Sequence, residues 1–289
     1  MIIDSHAHLW QKQQGRANNT DVFHLTNGIS VFDGEMRQMM PPFMTDGINS
    51  VERLIANMNY AGVSGAVITQ EEIDGNQNEY LKSAKLKFKD RLKICSLYEE
   101  NKSCSVDGFD GIKLCSGRFS EKNLLKHFDI FKKAADNNKF ISIDLADGDA
   151  QTKELNEIAV ELPDLKIAIG HFGMVTRKNW KEQIKLAQNK NIYIESGGIT
   201  WLFNNEFYPY PSAVKAISEA AQICSFDKLM WGSDYPRTMV EITYKMSFDF
   251  ILKSNDINES DKEKMLYKNA SEFYGFENLT VPQPVKNML

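Results

Sequence analysis

Short apolar runs of β-type residues alternate with amphipathic segments along this chain, and that alternation leaves few folds open. The runs are Met1–His8, Gly65–Gln70, Leu92–Tyr98, Phe109–Cys115, Phe140–Ala146, Lys166–His171, Asn191–Gly197 and Lys228–Asp234. Most are apolar on both faces, as strands are when helices cover them and a core fills them. Between them, Ser50–Ala61 carries Val51, Leu54, Ile55 and Met58 at helical spacing. Asn78–Arg91, Glu121–Asn138, Gln151–Leu162, Asn179–Lys190 and Ser212–Cys224 follow the same pattern, and Ser247–Lys253 and Ser260–Tyr274 come last. Eight strands with intervening helices predict an α/β fold, a (β/α)8 TIM barrel. A doubly wound open sheet would usually bring a Gly-rich phosphate turn after its first strand. Here that place reads His-Ala-His-Leu-Trp.

The barrel is expected to be slightly irregular. Only Glu99–Gly108 separates the third and fourth strands, too short and too rich in Ser, Asp and Gly for a full helix. Two loops are long: Gln11–Asn49 after the first strand and Gly198–Pro211 after the seventh. Loops of that length act as lids or binding loops. With no repeat, linker or low-complexity tract, residues 1–289 read as a single domain.

The net charge is −5, with Lys and Arg scattered among acids, so no basic field attracts nucleic acid. No apolar run approaches a membrane span, and strand-like residues begin at Met1 without a signal-peptide pattern. The four cysteines form no Cys-x-x-Cys pair and read as buried free thiols. These features point to a cytoplasmic protein acting on a small molecule; a homodimer is expected from base rates alone.

Three of the five histidines close apolar runs: His6, His8 and His171. Strand side chains alternate with period two, so His6 and His8 share a face, roughly 7 Å apart along the strand. In a closed barrel the strand C-termini share one mouth, and the first strand neighbours the eighth. His6, His8, His171 and Asp234 then surround one pocket. Imidazole and carboxylate suit zinc or a similar divalent ion, which can lower the pKa of a water to about 7 while a neighbouring carboxylate accepts its proton.

From Met1-Ile-Ile-Asp-Ser-His-Ala-His-Leu-Trp, through Gly111-Ile-Lys-Leu and Ile169-Gly-His-Phe-Gly, to Trp231-Gly-Ser-Asp-Tyr-Pro and Lys268-Asn-Ala-Ser-Glu-Phe-Tyr-Gly, the chain resembles the amidohydrolase-related (amidohydrolase 2) family of the metal-dependent amidohydrolases. Its members include muconate-semialdehyde and aromatic-acid decarboxylases and hydrolases of lactones. The resemblance implies that His6 and His8 are metal ligands, Asp234 a ligand or the general base, and His171 the group that polarises the carbonyl or shuttles a proton. Many metal-binding members supply a fifth-strand histidine, whereas this chain has Asp144 there, which can also ligate. The implied ion is zinc, with manganese or iron as alternatives. Some lactonases of this family resemble the pattern and work without a metal. The reading is a hydrolase of a small lactone using metal and Asp234. A metal-dependent decarboxylase, a metal-independent lactonase and a non-catalytic binding barrel are the alternatives. Lys113 within the fourth strand, Arg237 after Asp-Tyr-Pro, Glu195 and Tyr210 are the substrate-binding candidates, with Arg37 and Gln70-Glu71-Glu72 as further ones.

Overall fold

A computed structural model describes residues 1–18 and 20–283 of the chain. Twelve strands are found among them. Eight form one parallel sheet: β1 (Ile3–Ala7), β6 (Gly65–Ile68), β7 (Leu92–Leu97), β8 (Gly111–Leu114), β9 (Phe140–Ile143), β10 (Ile167–Ile169), β11 (Ile192–Glu195) and β12 (Leu229–Met230), adjacent in that order. The ring closes where the first strand meets the chain after β12. Ser5 N–H donates to the Trp231 carbonyl, Asp234 N–H to the His6 carbonyl and His8 N–H to the Tyr235 carbonyl, at 2.8–2.9 Å. Helices on the outside complete a (β/α)8 barrel, as expected.

The strands are rich in isoleucine, whose branched Cβ favours the extended backbone and fills a two-sided core. Ile112, Ile141, Ile143, Ile167, Ile169, Ile192 and Ile194 are all fully buried. One large apolar cluster joins strands to outer helices. A second brings Ile3, Val67, Cys95, Ala168 and Met230, from five strands, against Phe273 and Tyr274 of the C-terminal helix and Phe276 just after it, plugging the end of the barrel opposite the histidines. Among the outer helices, α1 (Val51–Ala61) buries Val51, Leu54, Ile55 and Met58, the expected stripe. Ser50 caps its N-terminus by accepting from Arg53 N–H, and Gly62 ends it at φ 78°. No helix among the described residues is long and apolar enough to cross a membrane, and all four cysteines are free and buried.

The segment 11–49 differs from the expected loop. It folds into a four-stranded antiparallel meander, β2 (Gln14–Ala17), β3 (Thr20–Thr26), β4 (Ile29–Phe32) and β5 (Glu35–Gln38). The cause was readable. Asn27-Gly28 (φ 48° and 74°) and Asp33-Gly34 (φ 53° and 77°) are left-handed two-residue hairpin turns, which these dipeptides favour. The sheet rests on the barrel through Ala17, Val22 and Ile73, with Phe32 and Met39 packed alongside. Trp10, buried against Met40 and Met44 and donating to the Gly47 carbonyl at 2.8 Å, fastens its far end. The Gly198–Pro211 loop contains a short helix, Ile199–Leu202. No helix spans the third crossover. The eighth strand, Leu229–Met230, is much shorter than the Lys228–Asp234 expected: the residues after it still bond to β1 but irregularly, with Asp234 in a left-handed backbone, φ 59°.

Candidate active site

His6 and His8 close β1, just past an irregularity in its pairing between Asp4 and Ala7. Both are fully buried, and their rings meet edge to face at 4.9 Å. His6 Nδ1 donates to Glu195 Oε1 at 2.5 Å, an acceptor-only partner, which fixes the tautomer and leaves Nε2 as a lone pair. That Nε2 lies 3.1 Å from His8 Nε2, which in turn lies 3.0 Å from Asp234 Oδ1. The other carboxylate oxygen, Asp234 Oδ2, accepts from Trp201 Nε1 at 2.8 Å. Ligand atoms of His6, His8 and Asp234 all lie within 4.8 Å of one another; so do those of His6, Asp144 and His171, an overlapping trio.

Burial and then the Arg237 charge hold the His8 imidazole below its ordinary pKa, so it is neutral and able to ligate. Burial opposes ionisation of Asp234, but His8 and Arg237 outweigh it and hold the carboxyl down at about 2. His171 Nδ1 donates to the Gly197 carbonyl at 2.9 Å, which turns Nε2 toward Asp144 Oδ2 at 3.6 Å and Glu71 Oε1 at 3.8 Å. Burial works against its protonation, yet these carboxylates raise it well above the ordinary imidazole value. His171 and Phe172 both have positive φ, 53° and 51°. Strain of this kind is tolerated where the surroundings over-determine a functional geometry.

The backbone makes room for these groups. A Cβ at Gly170 would lie 2.1 Å from Asp144 Oδ1, and one at Gly197 would lie 2.8 Å from the His6 ring. The site opens into a cavity of about 800 Å³. Asp144, His171, Asp234 and Glu71 line it from the barrel, Trp201 from the loop after β11, and Phe32, Arg37 and Met39 from the meander. The two long segments do therefore reach the mouth.

Three expected substrate contacts are directed elsewhere. Lys113, fully buried in β8, is ion-paired to Asp144 Oδ1 at 2.6 Å and does not line the cavity. The pair holds the Asp144 carboxyl far below the usual carboxylate range in spite of burial. Glu195 is buried with one oxygen on His6 and the other accepting from Gly197 N–H at 2.6 Å, so it supports a histidine. Tyr210 packs its ring on Phe250 in the core, 5.8 Å between centroids, away from the cavity. Arg237 does line the cavity, but its Nη2 already bonds both oxygens of Asp74, at 2.9 and 2.8 Å. Of Gln70-Glu71-Glu72 only Glu71 lines the cavity. Gln70 is committed to structure, donating to the Cys95 carbonyl and accepting from Gln77 N–H. Trp201 and Arg118 had no assigned role. The aromatic loop carrying Trp201 was a signal, and Arg118 had none beyond following the fourth strand.

Residues 3–276 match the family described as Amidohydrolase. A curated relative, the uncharacterized protein y4mH of Sinorhizobium fredii, is 25% identical over 135 residues; the match covers 43% of this chain and 43% of that protein, less than half of its length. Similar solved structures include a probable 2-pyrone-4,6-dicarboxylic acid hydrolase of Acinetobacter baumannii with citric acid bound (19% identity, TM-score 0.68, 95% of this chain and 99% of that one). Another is an amidohydrolase of Burkholderia multivorans with bound zinc (11%, TM-score 0.68, 95% and 99%). A third is the manganese complex of 5-carboxyvanillate decarboxylase from Novosphingobium aromaticivorans (17%, TM-score 0.54, 79% and 81%). At these identities the structural likeness speaks for the fold, and the match across residues 3–276 for the lineage: the chain belongs to the amidohydrolase family.

Proposed function

We propose that this protein hydrolyses a small cyclic ester, with a divalent metal held by His6, His8 and Asp234. The observation that carries the reading is the convergence of His6 Nε2, His8 Nε2 and Asp234 Oδ1 on one point. His6 presents a lone pair there, His8 is neutral, and the His8 Nδ1 atom is buried without a hydrogen-bond partner among the described residues. Two buried imidazole nitrogens facing each other at 3.1 Å suit a shared cation. Neutral nitrogens with one carboxylate fit zinc, manganese or iron. When bound, such an ion supplies Lewis acidity to a carbonyl oxygen and acidifies a water.

The chain's own groups supply the rest. Asp234, anchored through Oδ2 to Trp201, turns Oδ1 toward the metal position, where the carboxylate would both hold the ion and accept a proton from the attacking water. Protonated His171, across the same cavity, stabilises charge developing on the carbonyl oxygen and can return a proton to the leaving alkoxide. Trp201, Met39 and Phe32 cover the site with apolar surface that limits access of bulk water. Hydrolases and a decarboxylase occur among the similar structures. Hydrolysis is favoured because the trio includes a carboxylate that can take the water's proton and His171, an acid, lines the same cavity.

Elemental analysis of the purified protein beside a His6→Ala/His8→Ala double variant tests the metal. About one zinc or manganese per chain, lost in the variant, is expected. Proton release on a panel of lactones tests the reaction. A well-folded protein that takes up no divalent ion, or one that evolves carbon dioxide from acids while leaving lactones intact, overturns the proposal.

A further inference from the structure

The meander has two edges, and only one of them is covered. At one edge, the backbone of β2 is pressed against the turn Glu72–Asp74 after β6; a Cβ at Gly15 would lie 2.0 Å from the Glu72 carbonyl. At the other, β5 (Glu35–Gln38) pairs with β4 alone among the described strands, and all four of its residues are exposed. An open edge presents unpaired N–H and C=O groups that template another strand.

The hairpin turn decides which groups those are. Asp33-Gly34 is flanked by the Phe32–Glu35 pair, and Ser30 stands opposite Arg37. In a two-residue hairpin the flanking pair exchanges both hydrogen bonds, and every second pair repeats it. Met39 N–H donating to the Gly28 carbonyl at 2.9 Å keeps that alternation. Glu35 and Arg37 therefore turn their peptide groups to β4, and Met36 and Gln38 turn theirs outward. The side chains are ordered too. Phe23 lies beside Val31 and Val31 beside Met36, one row across three strands. Alternation puts this row on the face away from Val22 and Phe32, which pack toward the barrel. Met36, at the open end of the row, is 75% exposed. The edge carries two charges of opposite sign, Glu35 and Arg37, paired with each other at 2.9 Å on exposed ground where such a pair is worth little.

We propose that β5 is the seam of a homodimer, in which two copies join edge to edge and antiparallel about a two-fold axis at Met36. In this register the outward N–H of Met36 meets the outward carbonyl of Met36 in the second copy, and the reverse. Glu35 then stands opposite Arg37 of the second copy, and Arg37 opposite its Glu35. Those are the positions without hydrogen bonds, where Cα atoms approach to about 4.5 Å and side chains are closest. Slipping the register by two residues sets Arg37 against Arg37 or Glu35 against Glu35, so the charges select one pairing. One strand satisfies both halves of the contact, as a two-fold interface requires. Phe23, Val31 and Met36 of the two copies become one continuous apolar row. Arg37 and Met39 also line the cavity, so the seam runs along its rim and each roof braces the other.

Sedimentation velocity of the full-length protein over a concentration series tests the seam. A dimer with a dissociation constant in the micromolar range is expected, because a short strand edge buries less than a standard interface. Met36→Pro removes only an outward N–H, which edge strands tolerate, and should give a monomer with native circular dichroism. Glu35→Lys and Arg37→Glu each set like charges opposite one another and should weaken self-association about tenfold or more. Mixed together, these two variants should pair with each other, since every charge again meets its opposite. Hydrogen exchange at the Met36 amide should slow as wild-type concentration rises. A wild type that stays monomeric at the highest concentration, a mixture of the two charge variants that does not associate, or a dimer that survives Met36→Pro and both charge variants by using another surface would each overturn the seam.

Discussion

His6 is held from both sides, and each side does a different job. Glu195 takes the Nδ1 proton and so aims the Nε2 lone pair into the cluster; His8 and Asp234 face that lone pair. Supporting carboxylates of this kind typically change metal affinity 10- to 100-fold when altered. Glu195→Gln is therefore expected to weaken zinc binding by about that factor, read by competition with a chromophoric chelator, while far-ultraviolet circular dichroism stays native. Unchanged affinity would leave Glu195 a merely structural acid. Asp234→Asn should reduce kcat/KM on the best lactone by about 100-fold or more, since an amide cannot accept the water's proton. Retention of most activity would move the base elsewhere. At this scale the sequence was legible for side chains whose chemistry is rare in strands. His6, His8, His171 and Asp234 are brought together as their types and strand positions imply. Lys113 and Glu195 were misread because period-two alternation says which face a residue takes and not which neighbour it meets there. The 2.6 Å pairing of Lys113 with Asp144 depends on the register of β8 against β9.

Among the elements, the contact between β1 and the chain following β12 depends on one buried carboxylate. Asp4 accepts from His6 N–H at 3.1 Å, Ser233 N–H at 2.8 Å, Ser233 Oγ at 2.5 Å and Tyr244 Oη at 2.7 Å. Asp4→Ala would leave those donors buried and unmet, a loss on the order of 3–5 kcal/mol visible in urea unfolding. Burial pushes the Asp4 carboxyl up to about 6, against the pull of the Ser233 and Tyr244 hydroxyls. The folded chain thus keeps this proton to higher pH than the unfolded one. The contribution to stability is full below about pH 4 and is lost as pH rises through about 6, by roughly 3 kcal/mol. The stability difference between wild type and Asp4→Asn should drift by that amount between pH 4 and 7, and a pH-independent difference would refute it. Elements also show where sequence reading stopped. The barrel strands announce themselves as β-branched runs. The meander strands do not, because Gln14–Ala17 and Glu35–Gln38 are largely exposed and lack an apolar pattern; only their hairpin dipeptides betray them.

For the whole molecule, the meander and the barrel mouth share one hydrogen-bonded chain. Ser30 Oγ donates to Gln13 Oε1 at 2.5 Å, Gln13 Nε2 donates to Asp74 Oδ1 at 3.0 Å, and Asp74 holds Arg237. The roof over the cavity is thereby built onto the loop after β6. Overall stability should also register the metal, because an ion that binds only the folded chain adds RT ln(1 + [L]/Kd), about 2.7 kcal/mol at a hundredfold excess over Kd. Chelation is expected to lower the melting temperature by a few degrees, restored by zinc or manganese and absent in His6→Ala/His8→Ala. A melting curve indifferent to chelator and metal would count against the site. One feature of the ring has a bearing on synthesis. His8 and Asp234 touch across the closing seam although they are 226 positions apart in the chain. At typical ribosomal rates of roughly 5–20 residues per second, the first strand waits on the order of tens of seconds for the residues that complete its site. Until the last strand docks, a nascent or truncated chain can hold neither the cluster nor its base. The cluster therefore assembles only after residues 6 to 234 have all been made and the first and last strands of the ring have met.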